Sequence, residues 1–223
     1  PAQILQLPDG ENAILVEKKT QTLFVFSARD GRLIQTFKTA CSTGEAAGIK
    51  QKAGDKKTPE GVYFLVDEYE DRYLTPVYGK KAFPTDYPNP VDRREGRNGS
   101  AIWIHGTNKA LKPMDSNGCV ALENLSILAL AKYVNLHSTP VIMVQQLAEA
   151  DPKKASDTRH QVQTLVEKWV KGLEKGSYHE YLSCYSSSFL PDMGFWRQWQ
   201  TARKKAAENQ SGFGLKIRNM GMY

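Results

Sequence analysis

His105 and Cys119 are the residues whose types and spacing could carry covalent chemistry. They lie in the segment AIWIHGTNKALKPMDSNGCVAL, residues 101–122, where a hydrophobic strand ends in His105-Gly106 and a polar loop leads to Ser116-Asn117-Gly118-Cys119. Cysteine attacks as thiolate, so it needs a base, and an imidazole at a strand end beside a tight turn supplies one. Gly118 before Cys119 lets the backbone turn sharply and a substrate carbonyl approach. The amides of Gly118 and Cys119 are then expected to face a developing oxyanion. The competing reading is a buried structural cysteine and an ordinary strand-end histidine. Either residue alone favours that reading, whereas the pair in an SxGC setting favours catalysis.

Chain order narrows the class of thiol enzyme. His105 precedes Cys119 by 14 residues, whereas papain-like enzymes place the cysteine first and the histidine far downstream. Sortases share the present order but have a longer gap and a downstream arginine. Here Cys119 is followed by Val-Ala-Leu-Glu-Asn, and the next arginine is Arg159. Cys41, Cys119 and Cys184 are odd in number with no CxxC, so neither a disulfide framework nor a zinc knuckle is readable. At least one thiol is free. Cys41, before Ser42-Thr43-Gly44, reads as a buried and inert thiol, although a Cys41–Cys184 disulfide stays open. No metal set is legible, because His105 and Cys119 lack further ligands at usual spacings, and no cofactor is expected. His137, His160 and His179 read as surface residues.

The elements that must position this pair are mostly strands. Residues 13–17 and 22–27 are short β-branched and aromatic runs that read as a hairpin, continued by 32–40 after the Asp30-Gly31 turn signal. GVYFLVDE (61–68), AIWIH (101–105) and residues 141–144 complete a series of short strands. One helix is expected from Asn124, as N-cap, through Val134. The pattern predicts a mainly β, sandwich- or barrel-like domain. Residues 70–100, rich in tyrosine, proline and charge, are expected to form an ordered lid.

Composition shifts at residues 148–158 (AEADPKKASDT), a stretch expected to be a linker. Beyond it, Val162, Leu165, Val166, Trp169, Val170 and Leu173 make an amphipathic helical stripe. Residues 178–185 and 195–209 read as further helices and 215–218 as a strand. The expected organisation is a catalytic domain over 1–147 and a small, mostly helical α+β accessory domain over 159–223.

The chain has 223 residues, 40% of them hydrophobic, with 30 Lys+Arg against 24 Asp+Glu. Its 22 aromatic side chains exclude disorder as the main description. No run approaches the roughly 18 apolar residues of a membrane span. The isoelectric point of about 9.1 permits an acidic partner. However, the basic pairs (Lys18-Lys19, Lys56-Lys57, Arg93-Arg94, Lys204-Lys205) are dispersed among acids, which reads as a solvated surface and not a nucleic-acid face. The sequence begins at Pro1 without Met and reads as a mature or trimmed form.

The segment His105-Gly106-Thr107…Ser116-Asn117-Gly118-Cys119 resembles the signature of the YkuD-type L,D-transpeptidases of bacterial peptidoglycan. The usual form is His-Gly-Thr, a loop, then Ser-His-Gly-Cys-(Ile/Val)-Arg-Leu. Ser42-Thr43-Gly44 with Gly54-Asp55-Lys56-Lys57-Thr58-Pro59-Glu60-Gly61 is similar to that family's STG…GDxxTPxG segment. Asp86-Tyr87-Pro88-Asn89…Asp92 resembles the lid of many Gram-negative members. The likeness covers residues 12–145. It departs at Asn117, where most members have His, and at Ala121, where many have Arg or Asn. Residues 169–196 resemble the helical start of a nuclear transport factor 2-like domain, which some L,D-carboxypeptidases carry after a YkuD-type one. An amphipathic helical cap explains the same stripe.

The resemblance implies a periplasmic or envelope enzyme in which Cys119 attacks the L-centre carbonyl of meso-diaminopimelate in a tetrapeptide stem and releases D-Ala. His105 is the implied base and the Gly106 carbonyl its orienter. Ser116, Asn117, Gly118, Tyr87 and Trp103 are the implied oxyanion and substrate contacts. The acyl group passes to an amine, making a 3-3 crosslink, or to water, trimming the stem. Carbapenems are implied acylating agents. A catalytically silent murein-binding module is the alternative. Iodoacetamide at neutral pH with peptide mapping is expected to label Cys119 ahead of Cys41 and Cys184; faster labelling of either other thiol would overturn the assignment.

Overall fold

The computed structural model describes residues 1–223, which divide into two compact units, Pro1–Glu149 and Ala150–Met222. In the first, the β-branched and aromatic runs form β1 (Asn12–Glu17), β2 (Thr22–Arg29) and β3 (Arg32–Ala40), paired antiparallel. β4 (Gly61–Phe64) and β9 (Pro140–Val144) extend this sheet in the order β3-β2-β1-β9-β4, with β1 and β9 parallel. A second sheet has the order β5-β6-β7-β8, with β5 (Tyr69–Glu70), β6 (Lys81–Pro84), β7 (Trp103–Thr107) and β8 (Val120–Glu123).

Both sheets and α2 (Asn124–Leu130) contribute to one buried cluster that includes Ile14, Val25, Tyr63, Phe83, Ile104, Leu122, Ile127 and Met143. β1 is buried on both faces, because Ile4 and Leu7 of the N-terminal segment cover Leu15 and Ile142 on the other side. A strand covered twice reads as continuously apolar, as ILV at 14–16 does.

The stretch expected as a lid is threaded into the fold. It holds β6, two 3-10 turns (Asp71–Tyr73, Pro76–Tyr78) and α1 (Pro90–Arg94). Its DYPN…D motif is an internal brace. Asp92 is 1% exposed; it accepts from the Asn89 amide (3.1 Å), Tyr63 (3.3 Å) and Arg97 (2.9 Å). A charge so deep persists only when paired and hydrogen-bonded. Asp86 likewise accepts from the Phe64 amide at 2.9 Å. The expected helix cap also differs. Glu123 is the N-cap residue, while Asn124 accepts from the Lys80 amide (2.9 Å) and donates to Asn108 (2.7 Å).

In the second unit, α3 (Pro152–Lys175) starts inside the expected linker, because Asp151 caps the amides of Lys153 and Lys154 and Pro152 suits the first turn. α4 (Tyr178–Leu182) and α5 (Met193–Glu208) follow, and Leu173, Tyr181 and Trp196 form the core with Trp169, Tyr185 and Phe195 around it. Only the C-terminal part of the α3 stripe enters this core; Leu165 is 46% exposed. The expected strand at 215–218 is irregular, the Leu215 amide bonding to Glu174 Oε1 at 2.8 Å instead of a ladder partner.

The 45–60 loop is pinned by buried lysines. Lys18 Nζ donates to Gly48 O, Thr58 O and Glu60 Oε1 at 2.8, 3.1 and 2.9 Å, and Lys50 pairs with Asp55 at 2.7 Å. Burial opposes the charge on Asp55, but Lys50 and the amides of Gln51, Lys52 and Lys57 outweigh it and hold the carboxyl well below its usual range. A depressed folded-state pKa stabilises above the unfolded value of about 3.9, and that stabilisation fades as pH falls below it. Thermal melts across pH 2–7 are therefore expected to steepen below pH 4 in the wild type and to flatten there in Asp55→Asn. At pH 7 this variant should lose about 1.5–3 kcal/mol. Coincident pH profiles would show that the pair contributes nothing.

Candidate active site

β7 and β8 run parallel with Ile104 opposite Val120 and His105 opposite Ala121, so His105, in the middle of β7 and not at the strand end expected, neighbours Cys119, the residue just before β8. Both residues line a cavity of about 330 Å³ with Ser42, Tyr78, Ser116 and Asn117. His105 is 6% exposed, and its Nδ1 lies 2.6 Å from Gly106 O. That carbonyl can only accept, so Nδ1 carries the proton and Nε2 is left with its lone pair. The Tyr78 ring stands edge-on to the imidazole at 5.0 Å and also packs on Trp103 at 4.9 Å, which fixes the ring plane of the base.

The segment before Cys119 is held by its own atoms and by the STG segment. Ser116 Oγ donates to Cys119 O (2.7 Å) and accepts from the Gly118 amide (3.1 Å). Ser42 and Ala121 exchange two backbone bonds of 2.8 Å, and Ser42 Oγ accepts from the Asp115 amide. Gln21, in the β1–β2 turn, reaches the Thr43 and Met114 amides with Oε1 and Thr43 Oγ1 with Nε2. Gly118 adopts φ +122°, and a Cβ there would sit 2.7 Å from Lys57 O, so no other residue fits without a shift.

This arrangement alters the expected oxyanion set. The Gly118 amide is committed to Ser116, which leaves the Cys119 amide as the open donor of the expected pair. Gly118 and Gly106 shape the site without lining it, and Trp103 stands one layer back behind Tyr78. Tyr87, expected as a substrate contact, is 4% exposed and lies away from the cavity; its hydroxyl donates to Asn98 O and its ring meets Tyr63 edge-on. Buried aromatics in a mobile-looking sequence are as easily core as contact. Tyr78 lines the cavity from within the stretch expected as a lid, and Ser42, Lys109, Lys112 and Asp115 line it without having been singled out as contacts. Of these four only Ser42 had a sequence signal, as the first residue of the STG motif.

Burial pushes the Cys119 thiol up, opposed by the Trp103 amide and the Lys50 charge, while the thiol donates to Ala101 O at 3.4 Å. Burial pushes the His105 imidazole down, opposed by the Gly106 carbonyl. Both shifts work against a standing thiolate–imidazolium pair. Cys41, buried in the core, has its thiol pushed up to about 12 with no opposing group, which makes it inert. Cys184 is also a free thiol. No group of three or more His, Cys, Asp or Glu is placed to hold a metal ion.

A sequence model of the YkuD L,D-transpeptidase catalytic domain matches residues 11–143. YafK of Escherichia coli K12, by name a candidate L,D-transpeptidase, is 30% identical over 124 residues, covering 54% of this chain. The chain spans 45% of the length of that curated relative. Among solved structures, Bd1075 of Bdellovibrio bacteriovorus is similar with a TM-score of 0.73 and 29% identity, over 94% of this chain and 76% of that one. The helical cell shape determining protein Pgp2 of Campylobacter jejuni gives 0.71 and 26%, over 97% and 76%.

A lowered imidazole pKa sets the sign of one pH dependence. Attack needs the neutral base, present above its pKa, so the acidic limb of kcat/KM should have its midpoint below the ordinary imidazole value of about 6.5. A limb at or above that value would mean that burial does not lower the His105 imidazole.

Proposed function

The chain belongs to the YkuD family of L,D-transpeptidase catalytic domains, and from that premise we propose that it cleaves peptidoglycan stem peptides through a Cys119 thioester. The observation that carries this reading is the shared cavity of Cys119 and His105, with the imidazole tautomer fixed by Gly106. Cys119 Sγ attacks the L-centre carbonyl of meso-diaminopimelate while His105 Nε2 takes the thiol proton. The carbonyl oxygen becomes an oxyanion that accepts from the Cys119 amide. Collapse breaks the L,D bond as His105 returns the proton to the departing D-Ala amine. Water or a second stem's amine then attacks the thioester, giving its proton to His105 and regenerating the thiol.

The reading favours trimming over crosslinking. Ala121 lines the cavity where many family members present an arginine, so an acceptor carboxylate lacks a charge-assisted partner there. Such a bond is typically worth about 1.5–3 kcal/mol, a tenfold or larger drop in acceptor occupancy. Arg93, Arg94 and Arg97 do not line the cavity; Lys109 and Lys112 do, and as ammonium groups they lack the bidentate fork of an arginine. The match to Pgp2 extends over 97% of the chain, which supports a place among cell-shape proteins of the envelope. No helix is long and apolar enough to cross a membrane.

Incubation with a carbapenem should add one drug mass to the wild type and none to Cys119→Ala. Incubation with disaccharide-tetrapeptide should yield tripeptide and free D-alanine. An unmodified wild type would overturn the thioester, and an abundant 3-3 dimer would overturn the preference for water.

A further inference from the structure

Thr58 lies at the end of the pinned 45–60 loop and is 0% exposed. Its hydroxyl accepts from the Gly44 amide at 2.8 Å and donates to Gly118 O at 2.9 Å. Its own carbonyl accepts from Lys18 Nζ at 3.1 Å. Gly44 is pressed against the same residue: a Cβ there would meet Lys56 O at 2.2 Å and Thr58 N at 2.9 Å. The hydroxyl thus has a fixed donor, a fixed acceptor and a fixed backbone.

The Gly118 carbonyl and the Cys119 amide belong to one peptide unit. In a trans peptide the C=O and the N–H point in opposite directions. Drawing Gly118 O onto the buried Thr58 hydroxyl therefore turns the Cys119 N–H away from Thr58, which does not line the cavity as Cys119 does. The Gly118 amide is occupied by Ser116, so the Cys119 N–H is the donor of the expected pair that stays open for an oxyanion at the nucleophile. We infer that Thr58 is the positioning residue that aims the Cys119 amide at the oxyanion. It touches no reacting atom and acts through one peptide plane. The inference rests on the acyl-transfer reading.

Thr58→Val keeps the side-chain shape and removes the hydroxyl, freeing that peptide to rotate. Loss of one oxyanion donor costs roughly a hundredfold or more in kcat, and misaiming it a share of that. Thr58→Val is accordingly expected to release D-alanine from disaccharide-tetrapeptide roughly tenfold to a hundredfold more slowly, with KM little changed. Alkylation of Cys119 by iodoacetamide displaces iodide at a saturated carbon and builds no oxyanion, so its rate should match the wild type. Thr58→Ser should restore D-alanine release.

Wild-type turnover in Thr58→Val would overturn the inference, as would parallel loss of acylation and alkylation. If Thr58→Val does not fold, Thr58→Ala takes its place. Failure of both beside a folded Thr58→Ser would make the hydroxyl a tie of the whole fold and overturn the positioning role. A wild type that releases no D-alanine and takes up no carbapenem removes the acyl-transfer reading itself, a result distinct from an active wild type indifferent to the substitution.

Discussion

The parallel pairing of β7 with β8 is the constraint on which the site depends. Its register sets Ile104 against Val120, which leaves His105 one step beyond the pair and Cys119 one step before it. Parallel neighbours need a crossover, and crossovers are usually helical. Here the connection is the irregular stretch 108–119. Such a stretch must find partners for its backbone groups outside any ladder. Gln21, Ser42 and Thr43 provide them, so the β1–β2 turn and the STG segment exist in this fold as much for the crossover as for their own strands.

Burial sets the chemistry as well as the geometry. A thiol and an imidazole enclosed together each resist charging, and the few opposing groups (the Trp103 amide, Lys50 and the Gly106 carbonyl) moderate that resistance without reversing it. Lys50 is itself buried and requires Asp55. The ion pair in the 45–60 loop therefore supports the loop, and at longer range its lysine charge opposes the upward shift of the Cys119 thiol.

Much of this was legible in the sequence because the motifs are local. The strands at 12–40, the His105/Cys119 pair and the need for Gly118 follow from residue types and their neighbours. What was not legible depends on distant partners. Asp92 sits in the same kind of polar, proline-containing stretch as any surface loop, and only Tyr63 and Arg97 make it a buried brace. Tyr87 went to the core for the same reason. The amide of Gly118 looked free until Ser116 claimed it. Tyr78 had no motif to mark it, since its role is to wall an imidazole from another sheet strand. The apparent strand at 215–218 had the right residues but no neighbour to pair with.

Gly79 and Gly106 meet back to back. A Cβ on Gly79 would lie 2.2 Å from Asn124 Oδ1 and 2.6 Å from the Gly106 carbonyl carbon, and one on Gly106 would lie 2.4 Å from the same Asn124 oxygen. The wall carrying Tyr78 and the strand carrying His105 are therefore spaced by bare backbone, with no slack for a side chain. Room for variation that reshapes the cavity lies at its exposed rim, which includes the stretch from Lys109 to Lys112. Descendants of this sequence can change what the cavity accepts by editing that rim, while His105 and the aromatic wall behind it are inherited as one rigid piece.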